Sequence, residues 1–352
     1  MNALEKELTK QPIFLERNRV GRVYKGGLLF HDFLGDEKED SYLPEEWVAS
    51  TVQANNPGST IENEGLSIIK DTKITLKELI ENYPDEMLGG KKNFNVLVKY
   101  LDSGIRLPIQ VHPDAEFSKK HFASTKGKTE MWLVLNTRKD ACIYFGFKEK
   151  LTKEEFSELV ERSKTEKDLM EGYLNAIPVK EGDIYLVPAK RVHAIGKGCL
   201  ILEVQEPTDF TISPEYFCGE YELNDEERFC GLEREVALSC FDFTPYGEAS
   251  YAPAKKIPRI VMASESYQEE DLINKEDTPL FGVKRYRIKK NLLLPKTPGV
   301  YVIVKGTGLL KGKDYQKEVK QGDYFFLPYD GGEKFELISN QEESLEVVSC
   351  FE

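Results

Sequence analysis

Short apolar runs alternate with turn residues along most of the 352 positions, and only a few stretches carry a helical period. The runs at 45 to 52, 66 to 75 and 93 to 101 predict strands, with Asn55 to Ser59 as a turn between the first two. Within Asn93 to Leu101, Phe94, Val96 and Val98 fall on one side, and Asn95, Leu97 and Lys99 on the other. Lys99 is then either a charge turned inward or a solvated lysine. The apolar run Ile105 to His112 predicts a further strand. Leu76 to Tyr83 predicts a helix that stops before Pro84. Thr152 followed by Glu155 is a capping box, and Leu151, Phe156, Leu159 and Val160 follow it at helical spacing. With a second amphipathic turn over Asp168 to Leu174, this makes a helical insert at about 151–176 in a β-rich chain.

An internal echo predicts two similar units. Gly182-Asp183-Ile184-Tyr185-Leu186-Val187-Pro188 is matched by Gly322-Asp323-Tyr324-Phe325-Phe326-Leu327-Pro328. In both, Gly-Asp supplies a turn, four apolar or aromatic residues make a strand, and Pro ends it. Five residues after Pro188 comes His193; five after Pro328 comes Glu333, and no His follows residue 193. The division expected is 1–250 for a unit that carries the chemistry, 251–280 for a connection rich in Pro, Glu and Ser, and 281–352 for a second unit without a metal position.

A net charge of −13 argues against a nucleic acid or an anionic membrane as partner, though not against an anionic small molecule in a local basic pocket. The six Cys, at 142, 199, 218, 230, 240 and 350, form no Cys-x-x-Cys pair. They read as reduced thiols of a cytoplasmic protein. Met1 to Gln11 is charged and lacks the apolar core of a signal peptide, and no apolar run approaches the ~18 residues that span a bilayer.

The chemistry-bearing residues are few. The chain has four His: His31, His112, His121 and His193. Gln110 and His112 point to one face of an extended segment, as do Lys128, Glu130 and Trp132 further on. A single buried His is most often a satisfied core residue. Gln110, His112, Glu130 and His193 together, however, are a mixed nitrogen and oxygen set for one divalent metal ion. So few His leave no plausible Ser-His-Asp or Cys-His order, and no glycine-rich phosphate loop is present.

The spacing Gly182, Pro188, His193, preceded by Gln110-x-His112 and Glu130, is similar to the two signatures of a cupin barrel. Beyond that, the chain resembles the type I phosphomannose isomerases (mannose-6-phosphate isomerases). The resemblance is carried by Pro108-Ile109-Gln110-Val111-His112-Pro113-Asp114, by Gly127-Lys128-Thr129-Glu130-Met131-Trp132, and by Val187-Pro188-Ala189 with His193 to Gly198 and Leu202-Glu203. Glu45-Glu46-Trp47 is similar to a Trp-containing block of the family, and the likeness runs from about residue 13 to the C-terminus.

The resemblance implies an all-β fold with helical insertions, built of two cupin (jelly-roll β-barrel) domains. It implies a zinc-dependent aldose–ketose isomerase for mannose 6-phosphate and fructose 6-phosphate; the ligand set alone also admits iron, manganese or cobalt. An isomerase of another or an unphosphorylated sugar, and a sugar-binding cupin without turnover, are the alternatives. Lys128 and Glu203 are then the candidates for proton transfer. Trp47, Lys99 and Asp209 are the candidates for substrate contacts, and Lys99 matches a family Lys that reaches the substrate phosphate. The partner is a small sugar phosphate, with no nucleic acid and no membrane. Two positions depart from the family. Pro108 stands where a Ser helps bind phosphate, and Ser213 where an Arg lies in the active site. Arg106, Lys190 or Arg191 could compensate, and Arg191 is the first choice because a regular strand would put it on the face of His193.

Overall fold

In the computed structural model, which describes residues 3–57, 59–340 and 344–352, the chain is mostly antiparallel sheet with short helices. One seven-stranded sheet has, side by side, Lys255–Lys256, Ile184–Val187, Glu130–Thr137, Cys199–Gln205, Leu97–Asp102, Glu45–Val48 and Arg19–Val20. A three-stranded sheet of Leu174–Pro178, Cys142–Phe147 and His193–Ile195 faces it. Ile143, Phe145 and Ile195 of the small sheet share an apolar cluster with Leu101, Trp132, Tyr185, Val187 and Ile201 of the large one.

A second seven-stranded sheet runs Ile13–Phe14, Tyr324–Leu327, Gly299–Lys305, Leu345–Phe351, Gly282–Ile288, Tyr267–Ile273 and Arg259–Ala263. A four-stranded sheet of Asn291–Leu293, Glu336–Ser339, Thr307–Gly312 and Tyr315–Lys320 accompanies it. The expected connection at 251–280 is therefore corrected, because two of its stretches are strands of the second sheet. Their composition hides them. Glu269, Glu270 and Asp271 pair across the sheet with Lys284, Arg285 and Arg287, so the strand is held by charge pairs rather than by an apolar run. Phe14, near the N-terminus, pairs with Phe325 in the same sheet.

The two large sheets share one core, and this sets the direction of every side chain in the first. Val98, Tyr100, Met131, Leu133, Leu202 and Val204 pack into a cluster with Val283, Val300, Val302, Phe326 and Val348 of the second sheet. Because successive strand residues point to opposite faces, Lys99, Glu130, Trp132 and Glu203 must face the other way, toward the small sheet. A slip of one residue would turn the whole functional set into the shared core.

The repeated Gly-Asp turns form alike. Gly182 and Gly322 have φ of 87° and 88°, a conformation that L side chains rarely adopt. The Asp183 and Asp323 carboxylates each accept the backbone N–H three residues back, from Lys180 and Lys320. Strands Ile184–Val187 and Tyr324–Leu327 follow directly. The Thr152–Glu155 capping box opens a helix over Lys153–Arg162, and Thr75 with Glu78 caps Leu76–Asn82 in the same way. Residues 66–75, expected as a strand, contribute only isolated bridges.

Candidate active site

Three segments bring the candidate ligands together. Gln110 and His193 pair as an isolated bridge, each N–H donating to the other's carbonyl at 2.9 Å. Val111 bridges to Ile212, which fixes His112 beside them. Glu130 opens its strand two residues after Lys128. His112, Glu130 and His193 lie with their ligand atoms within 4.8 Å of one another, and all three are buried. The His112 Nε2 is 3.2 Å from one Glu130 oxygen and the His193 Nε2 is 3.3 Å from the other. The Gln110 carboxamide lies 3.5 Å from the His193 Nε2.

The surroundings fit a metal ion. The Nδ1 of His112 lies 2.9 Å from the Phe210 carbonyl, and that of His193 lies 2.7 Å from the Arg191 carbonyl. With Nδ1–H given to a carbonyl, each Nε2 keeps a lone pair aimed at the common point. Burial pushes both imidazoles toward the neutral form, His193 down to about 3. Burial alone would raise the Glu130 carboxyl, but Lys128 and the two imidazoles hold it well below the usual carboxylate range. The Glu130 Oε1 is buried without a hydrogen-bond donor, an unusual condition for a carboxylate that a cation would remedy. Two imidazole nitrogens, a carboxylate and a carboxamide oxygen are a familiar divalent set.

Lys128 is buried against this cluster. Its ammonium donates to Glu130 at 2.7 Å and lies 2.8 Å from the His112 Nε2. With Gln110 it also lines a cavity of about 710 Å³. A single row across the sheet carries two more of its lining residues, Lys99 and Glu203. Trp47, Lys99, Glu203, Trp132 and Tyr185 stand opposite one another on neighbouring strands. Lys99 is only 3% exposed, and its ammonium lies 3.5 Å from Glu203 and 3.7 Å from both Glu45 and Asp209. The inward reading of Lys99 is thus the one realised, and burial is offset by carboxylates that raise its pKa. Glu203 accepts from the Trp132 indole N–H at 3.1 Å. Burial and the nearby Glu130 charge push its carboxyl up to about 7.

Other expected residues are placed differently. Trp47 is fully buried and lies behind Lys99, 4.6 Å from its ammonium, while its indole N–H donates to Glu45 at 2.7 Å. It supports the row instead of forming a wall for a sugar. Asp209 does line the cavity, as do Pro108 and Ser213. Arg191 does not reach it. Its guanidinium donates to the Pro245 carbonyl at 3.1 Å and lies 3.6 Å from Asp242. The cause is local. Lys190 adopts a positive φ of 67°, the strand begins only at His193, and the alternation assumed for Arg191 does not apply. Arg191 serves the site through its carbonyl, which orients His193. Lys190 lies 3.6 Å from Asp114, and Arg106 is held by Glu171 and Glu215. Arg191→Ala should therefore leave turnover within about twofold of wild type in a steady-state assay, the effect of a substitution outside the site. A hundredfold loss would restore the guanidinium to the site.

Three residues at the cavity were not read from the sequence: Arg22, Glu45 and Asn55. Arg22 donates to Glu45 at 3.0 Å, to the Asn56 side chain at 2.6 Å and to both Asp209 oxygens at 3.1 Å. Its partners lie up to 187 residues away, and no local spacing could have marked it. Glu45 also accepts from the Tyr24 hydroxyl at 2.6 Å.

Known proteins share this architecture. No family model matches the chain. Mannose-6-phosphate isomerase ManA of Bacillus subtilis (strain 168) is 29% identical over 334 residues, covering 93% of this chain and 96% of its own. A crystal structure of the mannose 6-phosphate isomerase from Bacillus subtilis superposes with a TM-score of 0.77 at 23% identity, covering 97% of this chain and 100% of that one. A mannose 6-phosphate isomerase bound with zinc and yttrium superposes with a TM-score of 0.70 at 15% identity, covering 97% and 99%. The chain is thus similar over nearly its whole length in sequence to mannose-6-phosphate isomerases, and shares their fold.

Proposed function

We propose that the chain interconverts mannose 6-phosphate and fructose 6-phosphate with one divalent metal ion. The observation that carries this reading is the contact of the Lys128 ammonium with both Glu130 and His112 at the edge of the cavity. Gln110, His112, Glu130 and His193 would hold the ion. When bound, it would polarise the reacting sugar oxygens and offset the negative charge that develops on them. With Glu130 as the one anionic ligand, the site keeps net positive charge. Zinc suits this donor set and is present in the zinc-bound relative, so zinc is the ion proposed. The six cysteines are free, which supports a cytoplasmic setting.

Aldose–ketose isomerisation moves one proton between adjacent carbons and another between their oxygens. The two groups at the cavity suit those tasks. Lys128 carries a proton beside the ligand cluster and can give it to a sugar oxygen. Glu203 is buried, with a carboxyl balanced near neutral pH, and can take a proton from carbon and return it. Trp132 fixes one of its oxygens, and Lys99 stands beside the other.

The sign of the pH dependence follows. Glu203 must be ionised to accept a proton, so kcat/KM should climb as pH rises through its pKa and then level. Burial and the nearby Glu130 charge put that limb at about 7, and a bound cation beside Glu130 would favour the carboxylate and move it lower. Glu203→Gln should reduce kcat/KM by about 10²–10⁴-fold and flatten this limb. A profile for Glu203→Gln that keeps both height and limb would remove Glu203 from the reaction. Formation of fructose 6-phosphate in a coupled assay, beside calorimetric binding of the same sugar, tests the function itself. Binding without turnover would make the chain a sugar-binding protein instead.

A further inference from the structure

Lys128 ends in a flexible four-carbon stem, so its aim depends on how firmly its backbone is held. The strand ladder does not do this, because its last pair is Gln205 with Glu130. Just outside that pair, the Glu206 carboxylate spans the lysine. One oxygen accepts the Gly127 N–H at 3.1 Å and the other accepts the Thr129 N–H at 2.9 Å. Lys128, between them, gives its own N–H to the Pro113 carbonyl at 2.9 Å. The Glu206 N–H donates to the Thr129 carbonyl at 3.1 Å, and the Thr208 hydroxyl to the Gly127 carbonyl at 2.7 Å. The same loop reaches the ligand cluster. The Gln205 carboxamide donates to the Glu206 and Thr208 carbonyls at 3.0 and 2.6 Å, the Phe210 carbonyl orients His112, and Ile212 bridges to Val111. One loop therefore sets Lys128 and His112 relative to each other.

We infer that Glu206 is a positioning residue for Lys128, a clamp on the two amides that flank it. The inference rests on the reading above in which Lys128 gives a proton to the substrate. Glu206 is only 5% exposed, and among the described residues its carboxylate is met by these amides and not by a cation. A charge buried in this way is costly, so the residue type needs a reason. The reason is geometric. Two N–H donors on either side of one residue require two acceptor oxygens on one group, and of the side chains that could fill this place a carboxylate has two where a carboxamide has one. Glu206 touches neither the ligand cluster nor the cavity lining; it acts through the backbone that carries Lys128. A misplacement of about 1 Å at a proton-transferring group is enough to cost about 10²-fold in rate, so such a clamp belongs beside an acid and not beside an ordinary lysine.

The test compares wild type, Glu206→Gln, Lys128→Met and the double variant, all loaded with zinc. Glu206→Gln should keep its zinc and a KM within about threefold of wild type while kcat falls about 10–100-fold, the effect of losing one charge-assisted bond of the clamp. Added to Lys128→Met, the same change should cost less than about twofold, because the group that it positions is already gone. Hydrogen exchange reads the clamp directly: the Gly127 and Thr129 amides should exchange about 10-fold faster or more in Glu206→Gln, with those of Cys199–Gln205 unchanged. Equal losses in the two backgrounds, loss of zinc, or unchanged exchange of the two amides would overturn the clamp and leave Glu206 a structural carboxylate. If Glu206→Gln does not fold, the nearly isosteric Thr208→Val takes its place, with kcat about 3-fold lower or more at unchanged KM and zinc content, and an unchanged kcat overturning the inference. Exchange needs no turnover, so the clamp can stand while isomerisation fails. Lys128→Met by itself reports on the lysine, so isomerisation can stand while the clamp fails.

Discussion

Purified His193→Ala is expected to bind its divalent ion about 10–100-fold more weakly than wild type, or worse, and to lose turnover with it. The imidazole supplies one of two nitrogen donors, and it is placed by the backbone bridge of His193 to Gln110 and by its own Nδ1 contact with the Arg191 carbonyl. Alanine removes the donor and its Nδ1 contact but leaves the backbone bridge to Gln110 intact, so the loss reads chiefly metal binding. It also removes the ring that faces Trp132 at 5.5 Å, which costs some packing. Metal analysis after gel filtration reads the first effect, and a thermal melt of metal-free protein reads the second. Unchanged metal content would show that the ion sits elsewhere.

Lys128→Met should retain the ion and the fold yet lose about 10²–10⁴ in turnover, the usual size of an acid–base contribution. Methionine keeps the length and the apolar stem while deleting the ammonium. The deletion also removes a positive charge 2.7 Å from Glu130, which makes the carboxylate a freer ligand. Metal affinity should therefore hold or rise while turnover falls. This split separates Lys128 from the ligands, whose loss lowers both. Near wild-type turnover in Lys128→Met would make the lysine a bystander held by Glu130.

The candidate ligand cluster was legible because it depends on short spacings. Gln110 and His112 are two apart, Lys128 and Glu130 are two apart, and the turn before His193 repeats a recognisable form. The face of Lys99 was not legible, because it depends on which side of its strand meets the second large sheet. Val98 and Tyr100 settle it by packing into the shared core. Arg191 was misplaced for the opposite reason: an even spacing was trusted across a turn, and Lys190 breaks it. Arg22 illustrates a deeper limit. It joins Glu45, Asn56 and Asp209, residues 23, 34 and 187 positions away, and only the closed fold brings them to one guanidinium. Tyr324 shows the same limit on the structural side. Its hydroxyl donates to Glu46 at 2.5 Å, so the second sheet grips the strand that carries Glu45 and Trp47.

The central claim is that one ion held by Gln110, His112, Glu130 and His193 makes the chain an isomerase of mannose 6-phosphate. The most direct measurement is fructose 6-phosphate formation while the metal content of a single preparation is titrated. The chelated protein should be inactive, and activity should return in proportion to zinc up to about one equivalent per chain, with Lys128→Met silent at every point. Full activity in the chelated protein, or one bound equivalent of zinc with no turnover of mannose 6-phosphate, would contradict the account.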